Sequence, residues 1–177
     1  MSLTLHEVTC RIEAHASYLQ SCLLQFPDIE RAFKSGQSAT DILTTYQQNY
    51  LGDITGFETE MSRLRILKRA VHLICALADL SREWSWTEVT QTLSDFADVA
   101  VQRLLRSAAV KAGIEGTDDN PIPGLFIVAM GKHGAGELNY SSDIDFTVFY
   151  DPDHIALPNM DKAERTLIRL CRDLIKG

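Results

Sequence analysis

Asp143 and Asp145, with one isoleucine between them, close the stretch MGKHGAGELNYSSDID (130–145), which also holds three glycines, a lysine and two serines. On a strand, side chains at i and i+2 leave the same face with Cα atoms roughly 6.6 Å apart, so two carboxylates placed that way repel unless a cation lies between them. Mg2+ suits that place, because it takes oxygen ligands at about 2.0–2.1 Å and keeps positions open for water and substrate phosphates. Ahead of the acids, Gly131, Gly134 and Gly136 let backbone N–H groups approach a phosphate without a Cβ in the way; Ser141 and Ser142 add hydroxyl donors, and Lys132 either adds a compact positive charge for phosphate or pairs with Glu137 across the loop. These residues point to a site for a metal-bound nucleotide, with Asp143 and Asp145 on the metal and the glycine loop on phosphate. Asp-x-Asp alone is more often a solvated turn, and the glycines and serines before it reverse that reading. The glycine order is G-x-x-G-x-G, unlike the G-x-G-x-x-G of dinucleotide folds, and His133 stands where a P-loop needs Ser or Thr after its lysine.

The elements that must position these residues fall into two textures. Up to about residue 115 apolar residues recur at helical spacing, with breaks at Pro27, Gly36, Gly52 and Gly56. One stripe joins Met61, Leu64, Leu67, Val71, Ile74 and Ala78. Ser85 and Glu88 form a capping-box pattern, after which Val89, Leu93, Phe96, Ala100, Leu104 and Ala108 continue a buried face up to a stop at Gly113. Trp84 and Trp86 read as a staple between helices. The segment GTDDNPIPG (116–124) continues neither helix nor strand and is taken as a linker. Beyond it LFIVAM (125–130) has the continuous apolar character of a strand covered on both faces, and DIDFTVFY (143–150) alternates as a second strand. A last helix is expected from near Asn159, burying Ala163, Leu167, Leu170, Cys171 and Leu174. The predicted class is α+β: a helical domain over 1–115, a linker over 116–124 and a mixed-sheet domain over 125–177. His133 and His154 read as solvent-exposed loop histidines.

Composition narrows the function classes. A net charge of −7 over 177 residues makes the surface repel a phosphate backbone, so broad nucleic-acid binding is not expected. Cys10, Cys22, Cys75 and Cys171 are scattered without metal-ligand spacing and read as small buried hydrophobes in a reducing cytosol. The amino terminus carries Glu7 and Glu13 where a signal peptide would be apolar, and no apolar run has membrane-spanning length. A cytoplasmic protein without a membrane partner is expected.

A glycine turn after an apolar strand, followed by Ser-Asp-Ile-Asp at the start of the next, resembles the signature of the DNA polymerase β-like nucleotidyltransferase superfamily. The fuller string MGKHGAGELNYSSDIDFTVFYD (130–151) is similar to the bifunctional glutamine synthetase adenylyltransferase and adenylyl-removing enzymes of bacteria, as are RLRILKRAVHLICALADL (63–80) and LSDFADVAVQRLL (93–105) to the region preceding their first catalytic domain. Asn139 and Ile144 match the E-L-N-x-x-S-D-I-D form of the adenylyl-removing half. The resemblance implies Mg2+-dependent phosphorolysis of the AMP–tyrosine bond on glutamine synthetase. Inorganic phosphate would be the attacking group, ADP the product, and a PII-type signal protein a regulatory partner. ATP or ADP is the nucleotide expected at Gly131, Lys132, Gly134, Gly136, Ser141 and Ser142. It further implies a third metal-binding carboxylate and an arginine-rich segment beyond Gly177, so the chain is expected to be the N-terminal part of a longer enzyme and inactive alone. His133 stands where many such relatives carry an apolar residue. Two alternatives remain: a noncatalytic nucleotide-binding module that docks a PII-type protein, and a PII uridylyltransferase, whose loop usually has arginine at the place of Ala135.

Overall fold

A computed structural model describes residues 4–117, 119–155, 157 and 163–176. The fold is α+β. Six helices come first: α1 (Leu5–His15), α2 (Ser17–Gln25), α3 (Pro27–Lys34), α4 (Ala39–Tyr50), α5 (Phe57–Ser81) and α6 (Trp86–Ala112). Strand β1 (Leu125–Ala129), the one-turn helix α7 (Gly131–Gly134), strand β2 (Phe146–Tyr150) and helix α8 (Ala163–Lys176) follow. The predicted breaks fall between helices. Pro27 is the first residue of α3, where its missing N–H costs nothing, and Gly36 turns left-handed (φ +85°) just past that helix. Gly113 (φ +70°) ends α6 in the same way, with the Ile114 N–H donating to the Ala109 carbonyl.

The chain forms two compact units. The first comprises Met1–Gly52, Arg63–Phe96 and Gly136–Ser142, and the second Asp53–Ser62, Ala97–Ala135 and Asp143–Gly177. In the first unit the predicted α5 stripe is buried from Leu64 to Ala78, but burial is wider than a stripe: every residue from Ala70 to Ala78 is buried. His72 lies inside that run, with its Nδ1 3.2 Å from the Tyr18 hydroxyl. Burial, with the charge of Lys68 adding to it, pushes its pKa down to about 4. The capping box forms as expected: the Ser85 N–H donates to Glu88 Oε2 at 2.7 Å and the Glu88 N–H to Ser85 Oγ at 3.3 Å. Trp86 does not staple helices; it is 69% exposed. Of the four cysteines only Cys22 and Cys75 are buried, Cys10 being exposed and Cys171 intermediate.

In the second unit β1 and β2 pair antiparallel, in register from Leu125 opposite Tyr150 to Ala129 opposite Phe146. The expectation that β1 is covered on both faces does not hold. Phe126 and Val128 are exposed, and Phe126 stacks on its cross-strand partner Phe149 with ring centroids 5.5 Å apart. Leu125, Ile127 and Ala129, with part of Phe126, line a cavity of about 220 Å3 together with Asp98, Val101, Gln102 and Leu105 of α6. A continuous apolar run cannot distinguish these cases, because it records which residues tolerate burial and not which face receives it. Gly116 and Pro121 approach each other closely, a Cβ on Gly116 meeting the Pro121 carbonyl oxygen at 2.3 Å, and Ile122 is buried. Helix α8 buries Leu167, Leu170 and Leu174, with Cys171 half-buried, and Asp173 meets Lys111 of α6 at 3.3 Å. The expected start near Asn159 lies outside the described residues. Glu60 is fully buried, and its Oε1 meets Arg103 in an ion pair.

Two measurements follow from these buried polar groups. Arg103→Met removes a partner of the buried Glu60 carboxylate and should destabilise the protein by about 3 kcal/mol in urea unfolding, as removing one member of a buried pair does; an unchanged midpoint would contradict the pairing. His72 is neutral in the folded protein, whereas the unfolded chain takes up a proton near the ordinary histidine value. Its contribution is present above about pH 6.5 and is lost at about 1.4 kcal/mol per pH unit as pH falls toward 4. Stability curves of wild type and His72→Asn should therefore converge over that window.

Candidate functional site

The hydrogen-bond ladder of the sheet runs one residue past β1 and β2, because the Met130 N–H donates to the Asp145 carbonyl at 2.8 Å. Beyond that bond no partner strand is available, since Gly131 turns away with φ +54°. This is why β2 begins at Phe146 and not, as the alternation suggests, at Asp143. Asp143 and Asp145 occupy the approach to the strand. Both are exposed, and neither side chain makes a hydrogen bond or ion pair among the described residues. Among those residues no three His, Cys, Asp or Glu side chains cluster as a metal site.

The glycine segment that should follow β1 as a loop contains a single helical turn. The Gly134 N–H donates to the Met130 carbonyl at 3.0 Å and the Ala135 N–H to the Gly131 carbonyl at 3.1 Å. Two of its glycines have steric reasons. A Cβ on Gly131 would sit 3.3 Å from Asp145 Oδ2, so the carboxylate leans over the start of the turn. A Cβ on Gly134 would lie 2.6 Å from the Ala129 carbonyl oxygen, which is backbone and cannot yield. Lys132 is exposed on this turn.

His133 is not the solvent-exposed loop histidine expected from its sequence context. Its side chain is 3% exposed, and its Nε2 lies 2.8 Å from Oδ1 of Asp98 on α6. A carboxylate accepts, so the imidazole donates from Nε2, and Nδ1 is buried with no hydrogen-bond partner among the described residues. The signal was long-range: Asp98 is 35 residues away and nothing local marks it as a partner. His154 is exposed as expected, paired with Asp151 at 2.8 Å.

Gly136, Ser141 and Ser142 belong to the first unit. Gly136 is left-handed (φ +70°) beside Gln91, and Leu138 is buried with its N–H 3.2 Å from Ser94 Oγ. Tyr140 meets the His72 ring edge-on at 6.0 Å. The next residues form an Asx-type turn: the Ser141 N–H donates to Asn139 Oδ1 and the Asn139 N–H to Ser142 Oγ, both at 3.0 Å. The Ser142 hydroxyl thereby accepts within its own turn and keeps its proton available to donate.

A pair of uncommitted carboxylates suits Mg2+, which is commonly held by one or two carboxylates with the remaining positions left to water and phosphate. The donor set of Asp143 and Asp145 therefore fits the ion.

The class of protein these features define is an α+β chain with an acidic pair at the edge of a short antiparallel sheet, next to a glycine turn. Residues 7–177 match the profile of the glutamate-ammonia ligase adenylyltransferase family, and the chain belongs to that family. It is 46% identical over 123 residues, 66% of its length, to the bifunctional glutamine synthetase adenylyltransferase/adenylyl-removing enzyme of Rhizobium meliloti. Enzymes of the same name from Caulobacter vibrioides and Mesorhizobium japonicum match at 40% over 125 residues and 38% over 142, or 67% and 76% of the chain. These matches span only 12%, 13% and 14% of the three relatives. Among the described residues no helix is long and apolar enough to cross a membrane.

Gly134→Ala should be destabilising by about 1–3 kcal/mol, as overpacking against immobile backbone is. Ala at Gly36, past the end of α3 and with open space around it, carries only the left-handed strain of about 1–2 kcal/mol. Chemical denaturation of the two variants checks both values, and a neutral Gly134→Ala would contradict the close approach of the turn to β1.

Proposed function

We infer that this chain supplies the nucleotide- and metal-binding part of an adenylyl-removing enzyme that acts on glutamine synthetase. The observation that carries the reading is the exposed, uncommitted Asp143 and Asp145, with the Asp145 carboxylate leaning over Gly131 at the start of the glycine turn. Family membership and the names of the relatives support the same assignment. The Asn139 and Ile144 of the motif favour deadenylylation over adenylylation.

In the proposed reaction an oxygen of inorganic phosphate forms a bond to the α-phosphorus of the AMP–tyrosine group. The bond from phosphorus to the tyrosine oxygen breaks, ADP is released, and the phenolate takes up a proton. Asp143 and Asp145 would hold Mg2+, which supplies charge neutralisation and alignment of phosphates when bound. Lys132 and the N–H groups at the start of the turn are assigned to phosphate oxygens, Gly131, Gly134 and Gly136 to shaping the phosphate-binding loop, and the Ser141 and Ser142 hydroxyls to further donation. These groups do no covalent chemistry; they orient the phosphoryl group and offset its charge. ADP or ATP is the nucleotide, the cytoplasm the expected compartment, and a PII-type signal protein the regulatory partner that the reading adds.

The test compares wild type with Asp143→Asn and Asp145→Asn, in the protein at its natural length, for Mg2+-dependent ADP release from adenylylated glutamine synthetase and phosphate. Each substitution should lower the rate by about a hundredfold or more, since it removes a ligand to an ion worth several kcal/mol in the transition state. Rates equal to wild type would remove the catalytic assignment.

A further inference from the structure

His133 is the residue of the glycine turn for which the nucleotide chemistry has no use, and it alone in that turn is directed inward. Lys132 and Gly134 on either side are exposed, while the imidazole is 3% exposed and 2.8 Å from Asp98. The turn's own backbone bonds, Gly134 to Met130 and Ala135 to Gly131, close it locally and attach it only to the end of β1. The imidazole attaches it to α6. Successive side chains on a helical turn are about 100° apart, so fixing the direction of His133 also fixes that of Lys132 and of the N–H groups beside it.

We propose that the His133–Asp98 pair is the positioning device of the phosphate turn, holding α7 against α6 so that Lys132 and the neighbouring N–H groups stay directed at phosphoryl oxygens. This role rests on the nucleotide reading given above. The competing account is that His133 simply fills core volume. The two differ in what Asp98 does: its side chain is 59% exposed, so removing it leaves the core filled and deletes only the acceptor.

Four proteins decide the matter: wild type, His133→Leu, His133→Gln and Asp98→Ala. Two readouts are taken: MgADP affinity by titration calorimetry, and amide hydrogen exchange over residues 131–135 without nucleotide. Leu keeps the volume without the hydrogen bond, while Gln offers an N–H donor near the place of Nε2. His133→Leu and Asp98→Ala should each weaken MgADP binding about tenfold, the usual cost of losing a charge-assisted hydrogen bond, and each should speed exchange in the turn. His133→Gln should stay within about twofold of wild type, because it restores the bond. A loss in His133→Leu that Asp98→Ala does not share assigns the effect to volume and overturns the pair. Wild-type affinity and exchange in both variants overturn the positioning role while leaving the nucleotide reading intact. A wild-type protein that binds no MgADP overturns the nucleotide reading, and this role with it.

Discussion

The hydrogen bond from the Met130 N–H to the Asp145 carbonyl is the constraint on which the local architecture turns. It extends an antiparallel ladder by one step and pins both ends of the intervening segment to the same point of the sheet. The chain must therefore leave β1 abruptly, and Gly131 is the residue that can do so with φ +54°. The same bond brings Asp145 beside the turn it closes, and the missing Cβ at Gly131 makes room for the carboxylate. Gly134 then lets the turn fold back onto the Ala129 carbonyl, a distance no side chain would permit.

Charge is treated differently inside and outside this frame. Glu60 is fully buried and meets Arg103, and His72 is buried and is kept neutral, with its pKa pushed down to about 4 by burial. Both follow from the cost of an unpaired charge in a medium that cannot solvate it. Asp143 and Asp145 remain in water, where two like charges can be neighbours without a partner and keep their oxygens available. Exposure leaves their oxygens uncommitted, whereas acids already bound to arginine or backbone donors would have little left to offer.

The short match to the relatives gives these local facts their context. The chain aligns with 12–14% of the length of the three enzymes compared, and the stretch matched by the family profile, residues 7–177, contains the glycine turn and both aspartates.

Much of the frame was legible from the residues alone, for reasons of short range. Pro27, Gly36 and Gly113 end or begin helices because backbone sterics act within a residue or two. Ser85 and Glu88 cap α6 because their groups meet across a single turn. Asp143, Asp145 and the glycines could be singled out because their chemistry depends on residue type and close spacing. Other features were decided only by contacts between distant segments. Whether β1 was covered on one face or two depended on what lay against Phe126 and Val128, and the start of β2 at Phe146 depended on where its partner ran out. The inward direction of His133 depended on Asp98, 35 residues earlier. Sequence spacing carries information over a helical turn or a strand pleat, whereas burial and pairing belong to surfaces that exist only once the chain has folded back on itself.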